Sequence, residues 1–109
     1  MGKYRAEDFH RDAVQALFSK EPTLAHLRVR RRADLLTIES GSADRPVPHA
    51  RCRRVSVQYW RLEMATHMGR WEPTPFRGPL NDVVSMLVSD FGWVLDPTEN
   101  PERTSETSY

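Results

Sequence analysis

Residues 59–95 read YWRLEMATHMGRWEPTPFRGPLNDVVSMLVSDFGWVL, and the change of period inside this stretch sets the expected architecture. In its first part Trp60, Leu62 and Met64 alternate with Tyr59, Arg61 and Glu63, so a strand sends three large apolar groups to one face and polar groups to the other. Thr66, His67, Met68 and Gly69 have the composition of a turn. Arg70 and Trp71 restart an extended segment, but Pro73 and Pro75 supply no ladder donors, which makes this piece an edge strand or one that leaves the sheet early.

The second part changes to a helical period. Leu80, Val83, Val84, Leu87, Val88 and Phe91 recur at i, i+3, i+4, i+7, i+8 and i+11, one apolar stripe along a helix. Pro79 just inside the start and Asp82 in the first turn suit the positive end of the helix. Gly92 stands where a left-handed cap would end it, with Trp93 behind to pack back on the last turn. Asn81, Asp82, Ser85, Ser89 and Asp90 form the wet side. A helix with one dry face needs a surface to lie on, and the preceding sheet provides it.

Upstream, residues 6–20 fit another amphipathic helix, with Phe9, Ala13, Ala16 and Leu17 on the dry side and Val14 and Phe18 beside them. Glu7 and Asp8 occupy the first turn and Pro22 prevents continuation. Leu27 to Arg32 alternates Leu27 and Val29 against Arg28, Arg30 and Arg32. Asp34 to Ser40 alternates Leu36 and Ile38 against Leu35, Thr37 and Glu39. The two form a hairpin turning near Ala33, or one long bent strand, since no Asn-Gly or Gly-Gly marks a tight turn. Gly41 to Pro48 has loop composition. A strand is then expected from His49 to Val57, with Ala50 and Cys52 on one face and His49, Arg51 and Arg53 on the other.

The whole reads as one α+β domain over residues 1–95: a helix, an antiparallel meander of four to five strands, then a C-terminal helix packed on the sheet. Residues 96–109, rich in Pro, Ser, Thr and Glu with no apolar period, are expected to form a disordered acidic tail. Trp60 and Trp93 are expected in the core.

Composition narrows the function classes. No apolar run approaches the roughly 20 residues of a membrane span, and the charged stretch Met1 to Arg11 lacks a signal-peptide core, so a cytosolic protein without a membrane role is expected. The lone cysteine, Cys52, excludes an internal disulfide framework and is read as a buried small hydrophobe. His49 and Cys52 lie at an odd separation on a strand, and with no second ligand pair no metal is expected. His10, His26 and His67 are scattered, and Asp90, Phe91 and Gly92 lack the companion motifs of a kinase. No convergent acid, base or nucleophile set assembles, so neither an enzyme nor a cofactor is expected.

Net charge is +1, yet residues 1–70 hold 14 basic and 8 acidic groups against 2 and 7 in residues 71–109. Placed on one antiparallel sheet with helices behind it, the outward face carries Arg28, Arg30, Arg32, His49, Arg51, Arg53, Tyr59 and Arg61. Guanidinium groups and a ring on an open sheet face suit a phosphate backbone and a stacked base. The same face also has a plain reading as a solvated surface, on which Glu39 and Glu63 pair across strands with the arginines. A second candidate surface is the edge around Arg70, Trp71 and Phe76, which offers an aromatic anchor to a protein partner or a second copy. Two functions therefore stand: a non-catalytic interaction module acting through a protein partner or itself, and a nucleic-acid or other polyanion binder using the arginines.

The run Trp60-Arg61-Leu62-Glu63-Met64, then Gly69-Arg70-Trp71, then the helix from Pro79 to Phe91, resembles the layout of small bacterial proteins of an uncharacterised family. In those, an aromatic-rich meander with a charged residue before Trp precedes one helix with an acidic C-terminal end. The resemblance covers residues 27–95 and departs at Glu63, where an aromatic is more usual, and at Pro73 and Pro75. It implies the same fold and no activity.

Overall fold

The structure, a computed structural model, describes residues 4–66 and 69–95. Its elements are helix α1 (Asp8–Lys20), strands β1 (Arg28–Arg32), β2 (Leu35–Gly41), β3 (Pro46–Ser56), β4 (Tyr59–Ala65) and β5 (Trp71–Gly78), helix α2 (Leu80–Asp90) and a 3-10 turn, Gly92–Leu95. The strands form one antiparallel sheet in the order β1-β2-β3-β4-β5, each paired with its neighbour in sequence. The expected helix, five-strand meander and packed C-terminal helix are all present. The acidic tail lies outside the described residues, as do His67 and Met68 of the β4–β5 turn.

Local chemistry explains the boundaries. In α1 a capping box closes the start: the Glu7 side chain accepts from the backbone N–H of His10, and His10 Nδ1 accepts from the Glu7 N–H at 2.9 Å. Glu21 precedes Pro22 and is held extended at φ −100° and ψ 119°, the region a residue before proline must adopt, so the helix stops there. The first two strands do form a hairpin, with Arg32 opposite Leu35 and Ala33 carrying the turn at φ 56°. β2 and β3 run further than their composition indicates. Gly41 ends β2 and Pro46 starts β3, so the loop shrinks to residues 42–45 and Pro46 and Pro48 sit in the sheet.

One sheet face carries the core. Val29, Leu36, Ile38, Ala50, Cys52, Trp60 and Leu62 are buried there against Val14 and Phe18 of α1 and Val83, Val84 and Leu87 of α2. Each buried Val, Leu, Ile and Phe side chain among them contributes about 1.5–3 kcal/mol. The Cys52 thiol is pushed up to about 12, chiefly by burial and further by the Glu63 charge, which leaves it an inert small hydrophobe at neutral pH.

Three expectations need correction. α1 buries Val14 and Phe18, while Phe9, Ala13, Ala16 and Leu17 face outward. The helix lies along the edge strand β1, so a narrow stripe suffices to cover the core and the broader apolar side is left over. Gly92 is not a left-handed cap: Phe91 caps α2 with a negative φ, and Gly92 opens the 3-10 turn. That turn buries Leu95 and leaves Trp93 72% exposed, outside the core. Two histidines hold it down: His26 Nε2–H donates to the Leu95 carbonyl at 2.6 Å, and His49 Nδ1–H to the Val94 carbonyl at 2.8 Å.

Candidate anion-binding sheet face

Both helices cover the same side of the sheet, so the other side is open. Cross-strand partners share a face, and the register places Arg28 beside Glu39, Arg30 beside Thr37, Thr37 beside Arg51, Arg51 beside Glu63, and Arg53 beside Arg61. Arg28, Arg30, Arg32, Arg51, Arg53 and Arg61 therefore stand together on the open face, with Tyr59 exposed at the end of β4. Arg77, opposite Arg61 on β5, joins them; its alternation with Trp71 and Pro73 is the signal that identifies it.

His49 does not join them. Ile38 pairs with Ala50 whereas Glu39 pairs with Pro48, which leaves His49 as the extra residue of a β-bulge. The bulge turns its ring to the helical side, where Nε2 accepts from the Ser40 hydroxyl at 2.8 Å. In exchange Pro48 falls in line with Glu39 on the open face.

The expected second surface does not form one patch. Trp71 lies on the open face with the Arg51 guanidinium 4.3 Å from its ring centre, a cation–π stack. Phe76 is on the opposite face, edge-on to Phe91 at 5.4 Å between ring centres. Arg70 is exposed ahead of the strand, its N–H donating to the Thr66 hydroxyl at 3.2 Å. β5 is an edge strand as expected, and the Thr74 hydroxyl donates to the Leu62 carbonyl where the bulge of β5 interrupts the ladder.

The electrostatics of the open face turn on two carboxylates buried at its centre, Glu39 and Glu63, each 3% exposed. Glu63 receives Arg51 and, through its other oxygen, Arg53 and Arg61 at 3.0 and 2.9 Å. Burial alone pushes the Glu63 carboxyl up, but the hydrogen bonds from Arg53, Arg51 and Arg61 outweigh it and hold the group down to about 2. Glu39 receives Arg28 at 2.9 Å and Arg30 at 3.1 Å. Arg53 also reaches Asp34 at the hairpin turn, 3.0 Å away.

These pairs are not balanced. Five arginines, Arg28, Arg30, Arg51, Arg53 and Arg61, share Glu39, Glu63 and Asp34, and with Arg32 and Arg77 beside them seven guanidinium groups face three carboxylates, so the face keeps a positive excess. Among the described residues Arg32 and Arg77 are exposed and have no ion partner, and the Arg30 side chain is 57% exposed. The face is also under-satisfied: Glu39 Oε1 and Arg61 Nε are buried without a hydrogen bond, Arg30 standing near Oε1 as an ion pair only.

Between Trp71 and the prolines of β3 the face dips into a shallow hollow of about 290 Å³, lined by Arg30, Arg32, Thr37, Pro48, Arg51 and Trp71. The arrangement presents fixed guanidinium forks around a flat ring, a geometry suited to oxyanions and planar groups. At neutral pH the Glu63 carboxylate is ionised and held by three guanidinium groups. Among the described residues no three His, Cys, Asp or Glu side chains group to hold a metal ion, and no helix is long and apolar enough to cross a membrane. Compared with protein-family models, curated proteins and solved structures, the chain matches none.

Proposed function

We propose that this chain is a non-catalytic interaction module that engages a polyanion on its open sheet face, and that single-stranded nucleic acid is the ligand class the face fits best. The observation that carries this reading is the imbalance at Glu39 and Glu63: each buried carboxylate fixes two or three guanidinium groups in place yet neutralises only one charge. The arginines are thus pre-organised, which lowers the ordering cost of binding, while Arg30, Arg32 and Arg77 keep exposed forks for phosphates. Trp71 and Tyr59, at opposite ends of β4 and its neighbour, supply rings on which bases stack about 20 Å apart, a span of three or so nucleotides.

An acidic protein segment meets the same charge but makes no use of the two rings. Fluorescence anisotropy with a labelled single-stranded oligonucleotide and a labelled Glu-rich peptide of equal charge separates them. Tighter binding of the oligonucleotide, weakened when Trp71 is replaced by Ala, supports the proposal. Equal or tighter binding of the peptide assigns the face to a protein partner instead.

A further inference from the structure

The hollow on the open sheet face holds an acceptor that the ion pairs leave over. Glu39 lines it and is 3% exposed, and its two oxygens are used unequally. Oε2 accepts from Arg28 Nε at 3.2 Å and from Arg28 Nη2 at 2.9 Å, whereas Oε1 accepts no hydrogen bond among the described residues. Arg30 Nη2 stands 3.1 Å from Oε1 without the alignment of a hydrogen bond, on a side chain that is 57% exposed and has room to turn. A buried carboxylate oxygen without a donor is costly, and a ligand that brings an N–H recovers the loss.

What surrounds Oε1 is largely flat. Trp71 pairs with Ala65 and Glu39 with Pro48, so ring and carboxylate stand three strand spacings apart, roughly 14 Å at the backbone. The Arg51 guanidinium, 4.3 Å from the ring centre, fills part of that span and forms one planar wall with it. Pro48, brought into line by the bulge at His49, and Pro46 line the hollow without a backbone N–H of their own. The site is thus a slot with a flat cationic wall, an apolar floor and, at the far end, one unfilled acceptor beside a guanidinium fork. The carboxylate repels a phosphate from that end, whereas a nucleobase edge, with an N–H next to an acceptor, matches both groups.

We infer that the hollow takes one unpaired nucleobase edge-on, with Glu39 Oε1 accepting its N–H, Arg30 donating to the neighbouring acceptor and the ring lying against the Trp71–Arg51 wall. In thymine the pair is N3–H and a flanking carbonyl oxygen, and each other base has a comparable pair on the same edge. A guanidinium has several N–H groups, so Arg30 still serves a phosphate on its solvent side. Glu39 is then the residue that makes the face specific for single strands, because base pairing hides this edge in a duplex. The inference rests on the polyanion reading of the face and adds to it a hydrogen-bonded contact that phosphate attraction does not supply.

The test compares labelled oligothymidylate, about eight nucleotides long, with a strand of equal length built from N3-methylthymidine, by fluorescence anisotropy at about 50 and 200 mM salt. The methyl group removes the N–H and leaves the charge and the ring in place. Oligothymidylate should bind about fivefold tighter or more, the discrimination of a good base contact. The ratio should be the same at both salts, because the two strands carry equal numbers of phosphates. A hairpin duplex should bind more weakly than oligothymidylate despite its higher charge density. In Glu39→Ala, shown by circular dichroism to be folded, the two strands should bind alike; should that variant not fold, the methylated strand on the parent protein decides. Equal binding of the two strands, tighter binding of the duplex, or a preference that survives in folded Glu39→Ala would overturn the inference and leave the polyanion reading standing. No binding of any strand at the lowest salt would overturn both.

Discussion

The side-chain amide of Gln15 is bound to the backbone of Val29's strand in the manner of a sixth strand: Gln15 Oε1 accepts the Val29 N–H at 2.8 Å and its Nε2 donates to the Leu27 carbonyl at 3.0 Å. β1 is an edge, and these are groups that an intruding strand would use. The N-terminal segment completes the cover, with the Ala6 N–H donating to the Ala33 carbonyl at 2.9 Å and the Arg31 guanidinium donating to the Ala6 carbonyl at 3.2 Å. Arg31 points to this side, pairs with Asp8 at 2.7 Å, and so is separated from its neighbours on the open face.

Gln15→Leu should therefore destabilise the fold by about 1–3 kcal/mol, the loss expected when part-buried backbone groups lose their partners. It should also leave β1 able to accept another strand. Urea unfolding measures the first effect, and concentration-dependent light scattering the second. A Gln15→Leu protein as stable as the parent would mean that solvent replaces the amide without loss.

Replacement of Glu63 should be among the most damaging changes on the open face. Glu63→Gln leaves Arg51, Arg53 and Arg61 around an uncharged group, and breaking a buried ion pair of this kind costs about 3–5 kcal/mol. The pH dependence follows from the lowered pKa. Glu63 is held down to about 2 in the folded chain, below its ordinary value of 4.5. Its contribution is thus fully present above pH 4.5 and is lost as the pH falls toward 2. Urea titrations at intervals between pH 6 and 2.5 should show the parent losing stability faster than Glu63→Gln over that window, and parallel curves would contradict the assignment.

Two turn positions should respond in opposite directions. Ala33 holds a left-handed φ of 56° that a side chain disfavours by about 1–2 kcal/mol, so Ala33→Gly should stabilise the chain by about 0.5–1 kcal/mol after the greater unfolded-state entropy of glycine is deducted. Gly41 is the reverse case: at φ 83° an added Cβ would stand 2.6 Å from the Arg45 carbonyl oxygen. Gly41→Ala should cost about 2 kcal/mol or more, through strain added to the lost left-handed freedom. Thermal unfolding of the two variants beside the parent checks both signs.

How much of this was legible in the sequence can be judged residue by residue. Period-2 alternation at Trp60, Leu62 and Met64, and period-3.6 recurrence from Leu80 to Phe91, read directly because burial is what selects those residues. The six expected arginines stand on a common face because they alternate along the strands with those buried residues. His49 misled because a bulge changes which way a side chain points without changing the local alternation, and only the pairing of Glu39 with Pro48 reveals it. The exposed stripe of α1 misled because apolar periodicity shows that a face is dry and not which partner dries it. Trp93 was misplaced through the expectation that a glycine near a helix end adopts φ > 0, whereas Gly92 starts a 3-10 turn that buries Leu95 in its stead. The burial of Glu39 and Glu63 had only one trace in the sequence, the arginines at alternate positions on the strands beside them.

The proposal of a polyanion on the open face is tested most directly by the salt dependence of binding to a labelled single-stranded oligonucleotide, measured by anisotropy between about 50 and 200 mM salt. With three or four phosphates engaged, log K should fall against log salt with a slope of about −2 to −3, at roughly 0.7 per phosphate. Arg32→Gln and Arg77→Gln, which disturb no ion pair of the described residues, should each flatten the slope by about 0.7 while leaving the unfolding midpoint unchanged. Absence of binding at the lowest salt, or a slope that neither substitution alters, would contradict the proposal and reduce the face to a solvated surface held together by Glu39 and Glu63.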